Sequence, residues 1–295
     1  MDTENFFRAV LPMVEKCGKY ALAVQDTIPH LSKGDDPENL AQSALTEADL
    51  RVQEDLLKFF LDSGFNFRIF AEEETKYVDM FPKTGRMLVS IDPIDGTVAY
   101  KNKLPNFCTV IAVYVEGCLD GVMLHTPFDG RSYVATQAQP KSLVWTFSSE
   151  SGVYASEELI CIPKSRDTLI TYSPKKEDPN GEEAKRFERL EAMGFIVNQF
   201  DKKDKMNPRV GLNSILRGEI AAYFRKNVPC LDWGPISLIV EKAGGTVTDY
   251  NGNRPDMHRY EGRTDCPKPM RLPSIIVSPR GNEDIHGKLV SVLKR

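Results

Sequence analysis

The chain has 295 residues, enough to bury a substantial core in one large domain or two closely joined ones. Hydrophobic residues at 41% and charged residues at 27% exclude a disordered or fibrous chain, and a net charge of −4 argues against a general nucleic-acid binder. No apolar run is long enough to span a bilayer, and the acidic N-terminal stretch lacks the basic start and unbroken apolar run of a signal peptide. The reading expects a cytoplasmic protein whose partners include neither a membrane nor a nucleic-acid polymer.

In chain order, Phe6, Phe7, Val10, Val14, Cys17, Ala21 and Val24 recur at helical spacing, and a second helical pattern through Val52, Leu56, Phe59 and Phe60 ends near Gly64. The short apolar runs "FRIF" and "MLVSI" follow, then "FCTVIAVYVEG", "LDGVMLH" and "RSYVATQ", cut by Gly and Asp turn signals. These predict a strand-rich, antiparallel middle. From about Ser142 the composition shifts. A charged loop and helix come first, "VGLNSILRGEIAAYF" reads as a helix running into a strand, and "DWGPISLIVEKAGG" reads as a helix closed by glycines. The sum is an α/β or α+β chain in two halves, 1–141 and 142–295, without internal repeats. Six cysteines and four histidines are scattered with no C-x-x-C pair, which suggests neither a zinc ribbon nor a disulfide framework.

Four acidic features stand out. In "IDPIDGT", Asp92 and Asp95 end an apolar strand, where unpaired charge costs several kcal/mol unless a cation compensates it; Asp-Pro and Asp-Gly also favour turns. "IFAEEE" places Glu72 just after another strand, although a solvated charge run reads the same way. In "LTEADL", Thr46 and Asp49 have capping-box spacing. Asp232 has the position of an N-cap for a helix beginning at Trp233. If the four converge, their all-oxygen shell selects magnesium, manganese or calcium, and magnesium so held shares its remaining positions with phosphate. The amides of Gly96 and Thr97 would then open a helix toward a phosphate oxygen.

Four blocks, "LTEADLRVQ", "FAEEE", "IDPIDGT" and "LDWGPISLIVEKAGGTVTDYNG", resemble in order and separation the inositol monophosphatase superfamily of metal-dependent, lithium-sensitive phosphatases. The resemblance implies a layered αβαβα sandwich, a homodimer, and two or three Mg2+ ions, with Mn2+ as a substitute and Li+ inhibitory. It implies that Glu72, Asp92, Asp95, Asp232 and the carbonyl of Ile94 hold metal. Glu72 and Thr97 would activate water, with Asp49 steadying Thr97, while Asp95, Gly96, Thr97, Arg225 and Asp232 would meet substrate. The implied activity is hydrolysis of a small phosphorylated metabolite such as an inositol phosphate by metal-activated water. The alternatives are a 3'(2'),5'-bisphosphate nucleotidase, which "TEADLRVQ" and "AEE" also resemble, and a non-catalytic relative that binds a phosphometabolite.

Two departures bear on substrate. Leu231-Asp232-Trp233-Gly234-Pro235 remodels a helix start that begins Trp-Asp in the family, and Arg225 stands where the family carries a glutamate that binds substrate hydroxyl or amine groups. A guanidinium cannot accept hydrogen bonds and prefers phosphate or carboxylate, so a second anionic group on the substrate is expected. A surface arginine at a strand end is the plainer reading.

Overall fold

The computed structural model describes residues 2–27, 30–32, 44–104, 106–148, 154–171, 180–199, 207, 210–256 and 271–294. Pro105 and the side chain of Asp232 lie outside the described residues, as do His258 and Cys266. The helical spacing near the N-terminus becomes α1 (Thr3–Val24), capped by Asp2, whose carboxylate accepts from the Asn5 amide at 2.8 Å. The second pattern becomes α2 (Glu47–Asp62), which starts on a complete capping box between Thr46 and Asp49 and ends before left-handed Gly64. Ahead of α2, β1 (His30–Ser32) and β2 (Ala44–Thr46) form a small antiparallel pair.

A seven-stranded sheet follows in sequential order: β3 (Arg68–Ala71), β4 (Met87–Asp95), β5 (Cys108–Val115), β6 (Cys118–Thr126), β7 (Arg131–Thr136), β8 (Leu143–Phe147) and β9 (Tyr154–Glu158). The antiparallel expectation holds from β4 to β9, but β3 runs parallel to β4. The segment from Glu72 to Arg86, with its single 3-10 turn at Val78–Met80, is long enough to return the chain to the same end of the sheet. Beyond residue 141, β8 and β9 still belong to this sheet, so the halves divided there interlock.

A second sheet of five strands has the order β11 (Ile196–Gln199), β10 (Thr168–Thr171), β12 (Ala222–Pro229), β14 (Arg271–Ser278), β13 (Thr246–Thr248). The short helix α3 (Thr97–Lys101) follows β4, while α4 (Glu182–Ala192), α5 (Cys230–Lys242) and α6 (Glu283–Leu293) serve the second sheet. The stretch "VGLNSILRGEIAAYF" makes only a 3-10 turn at Leu212–Ile215 before β12. Gly218 stops it: its φ is +71° and its α-carbon lies so close to the Ile162 carbonyl that a β-carbon has no room. The last long helix begins at Cys230 rather than at Trp233, so Asp232 is inside its first turn and is not its N-cap.

Three apolar layers result. Phe6, Phe7, Val10, Leu56 and Phe60 of α1 and α2 pack on Val89, Ile91, Ile111 and Val113 of the first sheet. Ile236, Ile239 and Val240 of α5 sit between the two sheets, against Val110, Ala112, Leu124, Tyr223 and Ile275. Phe187, Leu190, Ile285 and Leu289 of α4 and α6 cover the outer face of the second sheet. The layers therefore stack as helix, sheet, helix, sheet, helix, the αβαβα sandwich. Among the described residues no helix is long and apolar enough to cross a membrane, and Cys17, Cys108, Cys118 and Cys161 are free thiols.

Candidate metal centre

The parallel pairing of β3 with β4 sets the first part of the site. Ala71 lies opposite Ile91, and the Glu72 amide donates to the Ile91 carbonyl at 3.1 Å, so Glu72 leaves the sheet beside Asp92. The next residue is fixed from the helix layer: Gln53, fully buried on α2, donates to the Glu73 carbonyl at 2.6 Å and accepts from the Glu73 amide at 2.9 Å. Gln53 is one helical turn beyond Asp49 and shares its face, a spacing already visible in "TEADLRVQ".

Asp92 and Asp95 are three residues apart, and in a regular strand they would face opposite sides. The register with β5 shifts between them: Asp92 pairs with Val110 and Asp95 with Cys108, so β4 carries one extra residue there. The extra residue turns Asp95 to the side already taken by Asp92, toward the α5 layer. Buried Cys108 reports both: its thiol donates to Asp95 Oδ2 at 3.5 Å, and burial first, then Asp95 and Asp92, push its pKa well up. Cys108 is a protonated donor here rather than a nucleophile.

Asp49 serves the cap and the site together. Its Oδ2 accepts from the Thr46 amide at 2.8 Å and from the Thr46 hydroxyl at 2.5 Å, while its Oδ1 lies 3.4 Å from Thr97 Oγ1. The Thr97 hydroxyl also lies 3.0 Å from the Ile94 carbonyl, the oxygen expected to join a metal shell. Gly96 turns the chain between strand and helix with φ +88°, and α3 has five residues, so it offers a phosphate its first amides rather than a long helix dipole. Two sequence expectations meet here in one carboxylate, since Asp49 is 1% exposed and both caps α2 and holds Thr97.

On the second sheet, Tyr223 faces the α5 layer and stacks on Trp233 with an interplanar angle of 7°. Arg225, two residues further along β12, is on the same face and buried, whereas Lys226 turns to the other face and pairs with Glu183 at 2.7 Å. Arg225 is therefore an interior arginine, not one on the surface at a strand end.

The turn over 211–218, which the sequence reading took as helix and assigned no site residue, also borders this region. A β-carbon on Gly211 would stand 3.0 Å from the Asn106 carbonyl, and one on Gly96 would stand 2.8 Å from the same oxygen. On that turn Asn213 is 1% exposed, and among the described residues neither atom of its carboxamide has a hydrogen-bond partner. Asn106 carried no sequence signal, because its role depends on a chain segment more than a hundred residues away.

The backbone brings Glu72 next to Asp92, and the register shift turns Asp92 and Asp95 to the same side. Among the described residues no three of His, Cys, Asp or Glu are gathered closely enough to hold an ion. The donor set fits a hard cation: it is all oxygen, and the extra strand residue sets two carboxylates side by side against a buried thiol, where added positive charge relieves repulsion.

The sequence model described as the Inositol monophosphatase family matches residues 12–294. The chain belongs to the inositol monophosphatase family. The family match contains every residue named above from Asp49 to Trp233. Among curated relatives, a histidinol-phosphatase from Chlorobaculum parvum is 27% identical over 83% of this chain and 85% of its own length. A Nus factor SuhB from Pasteurella multocida is 26% identical over 55% of this chain, and the matched stretch spans 56% of that protein's length, little more than half. The solved structure of an IMPase from Thermotoga maritima aligns with a TM-score of 0.68 at 20% identity, covering 100% of this chain and 97% of that one, which establishes the shared fold.

Proposed function

We propose that this member of the inositol monophosphatase family hydrolyses a small phosphate monoester, an inositol phosphate first among the candidates. The observation that carries the reading is the extra residue in β4 that turns Asp92 and Asp95 to one side beside Glu72. Glu72, Asp92, Asp95, Asp232 and the Ile94 carbonyl would hold two or three magnesium ions, which supply charge neutralisation and a more acidic water. The carboxylate of Glu72 takes the proton from the attacking water. Thr97 orients that water through a lone pair, because its proton is directed to the Ile94 carbonyl and the Asp49 carboxylate. Asp95 is held by the thiol of Cys108, and the amides of Gly96 and Thr97 meet phosphate oxygens. In this reading the nucleophile is the water, and burial disfavours the thiolate of Cys108.

The assay that tests this is phosphate release from inositol phosphates, 3'(2'),5'-bisphosphate nucleotides, histidinol phosphate and sugar phosphates, with magnesium, with manganese, with added lithium and with EDTA. Release should require magnesium, be supported by manganese, fall with lithium and stop in EDTA. Turnover that persists in EDTA refutes the metal reading, and no turnover on any compound favours a phosphometabolite-binding protein. A homodimer is part of the same reading, with Phe128, Ile160 and Ile162 as exposed apolar residues available to it, and light scattering decides it.

A second reading, a bisphosphate nucleotidase, rests on Arg225. A buried guanidinium facing the α5 layer suits a second anionic group on the substrate better than a hydroxyl. Arg225→Gln should then lower kcat/KM for a doubly phosphorylated substrate about tenfold more than for a singly phosphorylated one, the worth of one charge-assisted hydrogen bond. Equal losses on the two substrates remove Arg225 from the substrate site.

A further inference from the structure

The Asn106 carbonyl lies against two glycines that belong to different halves of the chain. Gly96 opens α3 in the catalytic turn, and Gly211 opens the turn that leads into β12. A β-carbon at Gly96 would be 2.8 Å from that oxygen and one at Gly211 would be 3.0 Å from it, closer than ordinary contact in both cases. One carbonyl is thus wedged between the two turns, and its position sets how closely they approach.

The side chain of the same residue is held from the second turn. Arg217 Nη2 donates to Asn106 Oδ1 at 3.0 Å. The guanidinium is aimed by Glu219, which accepts from Nε at 2.9 Å and from Nη2 at 2.8 Å, and Ser214 Oγ lies 3.5 Å from Nη2. Ser214 Oγ in turn accepts from the Gly211 amide at 3.1 Å, so the fork and the glycine are parts of one closed turn. The fork is 18% exposed. Burial works against its charge, and the hydrogen bonds it donates to Glu219 favour it, leaving the Arg217 pKa raised. Its charge also acts on the buried Cys108 thiol that donates to Asp95.

We infer that Arg217 is a positioning residue of the proposed phosphatase site. By holding the Asn106 side chain it keeps the Asn106 carbonyl wedged against Gly96, and so fixes the left-handed turn that presents the Thr97 hydroxyl to Asp49 and Ile94. The inference rests on the phosphatase reading for its kinetic consequence but not for its structural one. Neither Arg217 nor Asn106 is among the residues proposed to hold metal or to meet substrate; the contacts of Arg217 run to Asn106 and Glu219. Their loss lets the carbonyl swing out, relaxes the turn at Gly96 and misaligns Thr97, while the carboxylates on β4 stay in place.

The test is a double-mutant cycle of Arg217→Met and Asn106→Ala, with Arg217→Lys as the conservative variant, on the full chain with magnesium. Each single variant should lower kcat about 10- to 100-fold, the cost of roughly an ångström of misplacement, with KM within about threefold of wild type. The double variant should be no worse than either single one, and Arg217→Lys should retain part of the activity through one ammonium contact. Hydrogen exchange on the same proteins should show faster exchange of the amides over 96–102 with β6 and β7 unchanged. Additive losses, a loss confined to KM, or unchanged exchange over 96–102 each overturn the inference. Should the wild type prove inactive on every phosphate ester, the phosphatase reading fails and exchange over 96–102 alone decides whether Arg217 positions the turn.

Discussion

Asp95→Asn should lower kcat/KM by at least about 10³-fold, roughly 4 kcal/mol of activation free energy, and leave the fold intact. The substitution keeps the shape of the side chain, and the amide oxygen can still accept from the Cys108 thiol that now meets Oδ2 at 3.5 Å. What disappears is one negative charge of the pair that the extra residue in β4 turns to the same side. With no cation bound, that pair repels itself beside a buried thiol, so the metal-free variant should melt at the wild-type temperature or slightly above it. Magnesium should raise the melting temperature of the wild type and have much less effect on the variant, because a ligand stabilises only the form that binds it. Thermal scans with and without magnesium, next to the phosphate-release assay, check both halves. A variant that keeps full turnover and the full magnesium shift would remove Asp95 from the site.

Stability should fall steeply between about pH 6.5 and pH 4. His125 is 1% exposed, with Nδ1 2.9 Å from the Ser132 hydroxyl, and His286 is 5% exposed, with Nδ1 2.9 Å from Ser278 Oγ and Nε2 2.9 Å from Thr248 Oγ1. Burial pushes each imidazole down to about 4, helped at His125 by Lys19. The folded pKa is lower than the unfolded one, so the unfolded chain binds the proton first on acidification. The stabilisation is complete above about pH 6.5 and is lost as pH falls toward 4. Each histidine accounts for about 3 kcal/mol over that window, and the two together approach the whole stability of an ordinary domain. Urea midpoints at pH 7.5, 6, 5 and 4.5 measure this directly. His286→Gln, which keeps hydrogen-bonding groups and removes the titration, should reduce the slope by about half. Equal midpoints at pH 7.5 and 5 would show that neither imidazole is held neutral.

The N-terminal helices were legible because their apolar residues keep one period: Phe6 to Ala21 and Val52 to Phe60 all reach the same core. The long strands were legible for the same reason, with turns marked by Gly117 and Gly130, both left-handed. The extra residue between Asp92 and Asp95 was not, since a register shift depends on the partner strand and one strand's sequence cannot record it. The helix read at the start of "VGLNSILRGEIAAYF" failed at Gly218, which is left-handed and packed against the Ile162 carbonyl of a distant loop. Asp232 looked like a cap because Asp before an apolar run is the local signal for one, but β12 runs directly into α5 at Cys230 and leaves no separate cap position. The five-layer stack came from resemblance to a family, not from periodicity, which names elements without saying which sheet they join. Arg217 and Asn106 meet across 111 positions, and nothing local to either one announces the other.

Helix α2 places Asp49 and Gln53 four residues apart on one face, about 6 Å along its axis. From there the two reach different strand ends: Asp49 the threonine after β4, and Gln53 the backbone just beyond β3. The spacing between Thr97 and the acidic end of β3 is thus a copy of one helical turn, and the helix works as a ruler laid across the sheet. Changes of chain length before Ala44 leave that ruler untouched, whereas a single residue inserted between Asp49 and Gln53 swings Gln53 about 100° around the helix and unfastens Glu73 while Thr97 stays held.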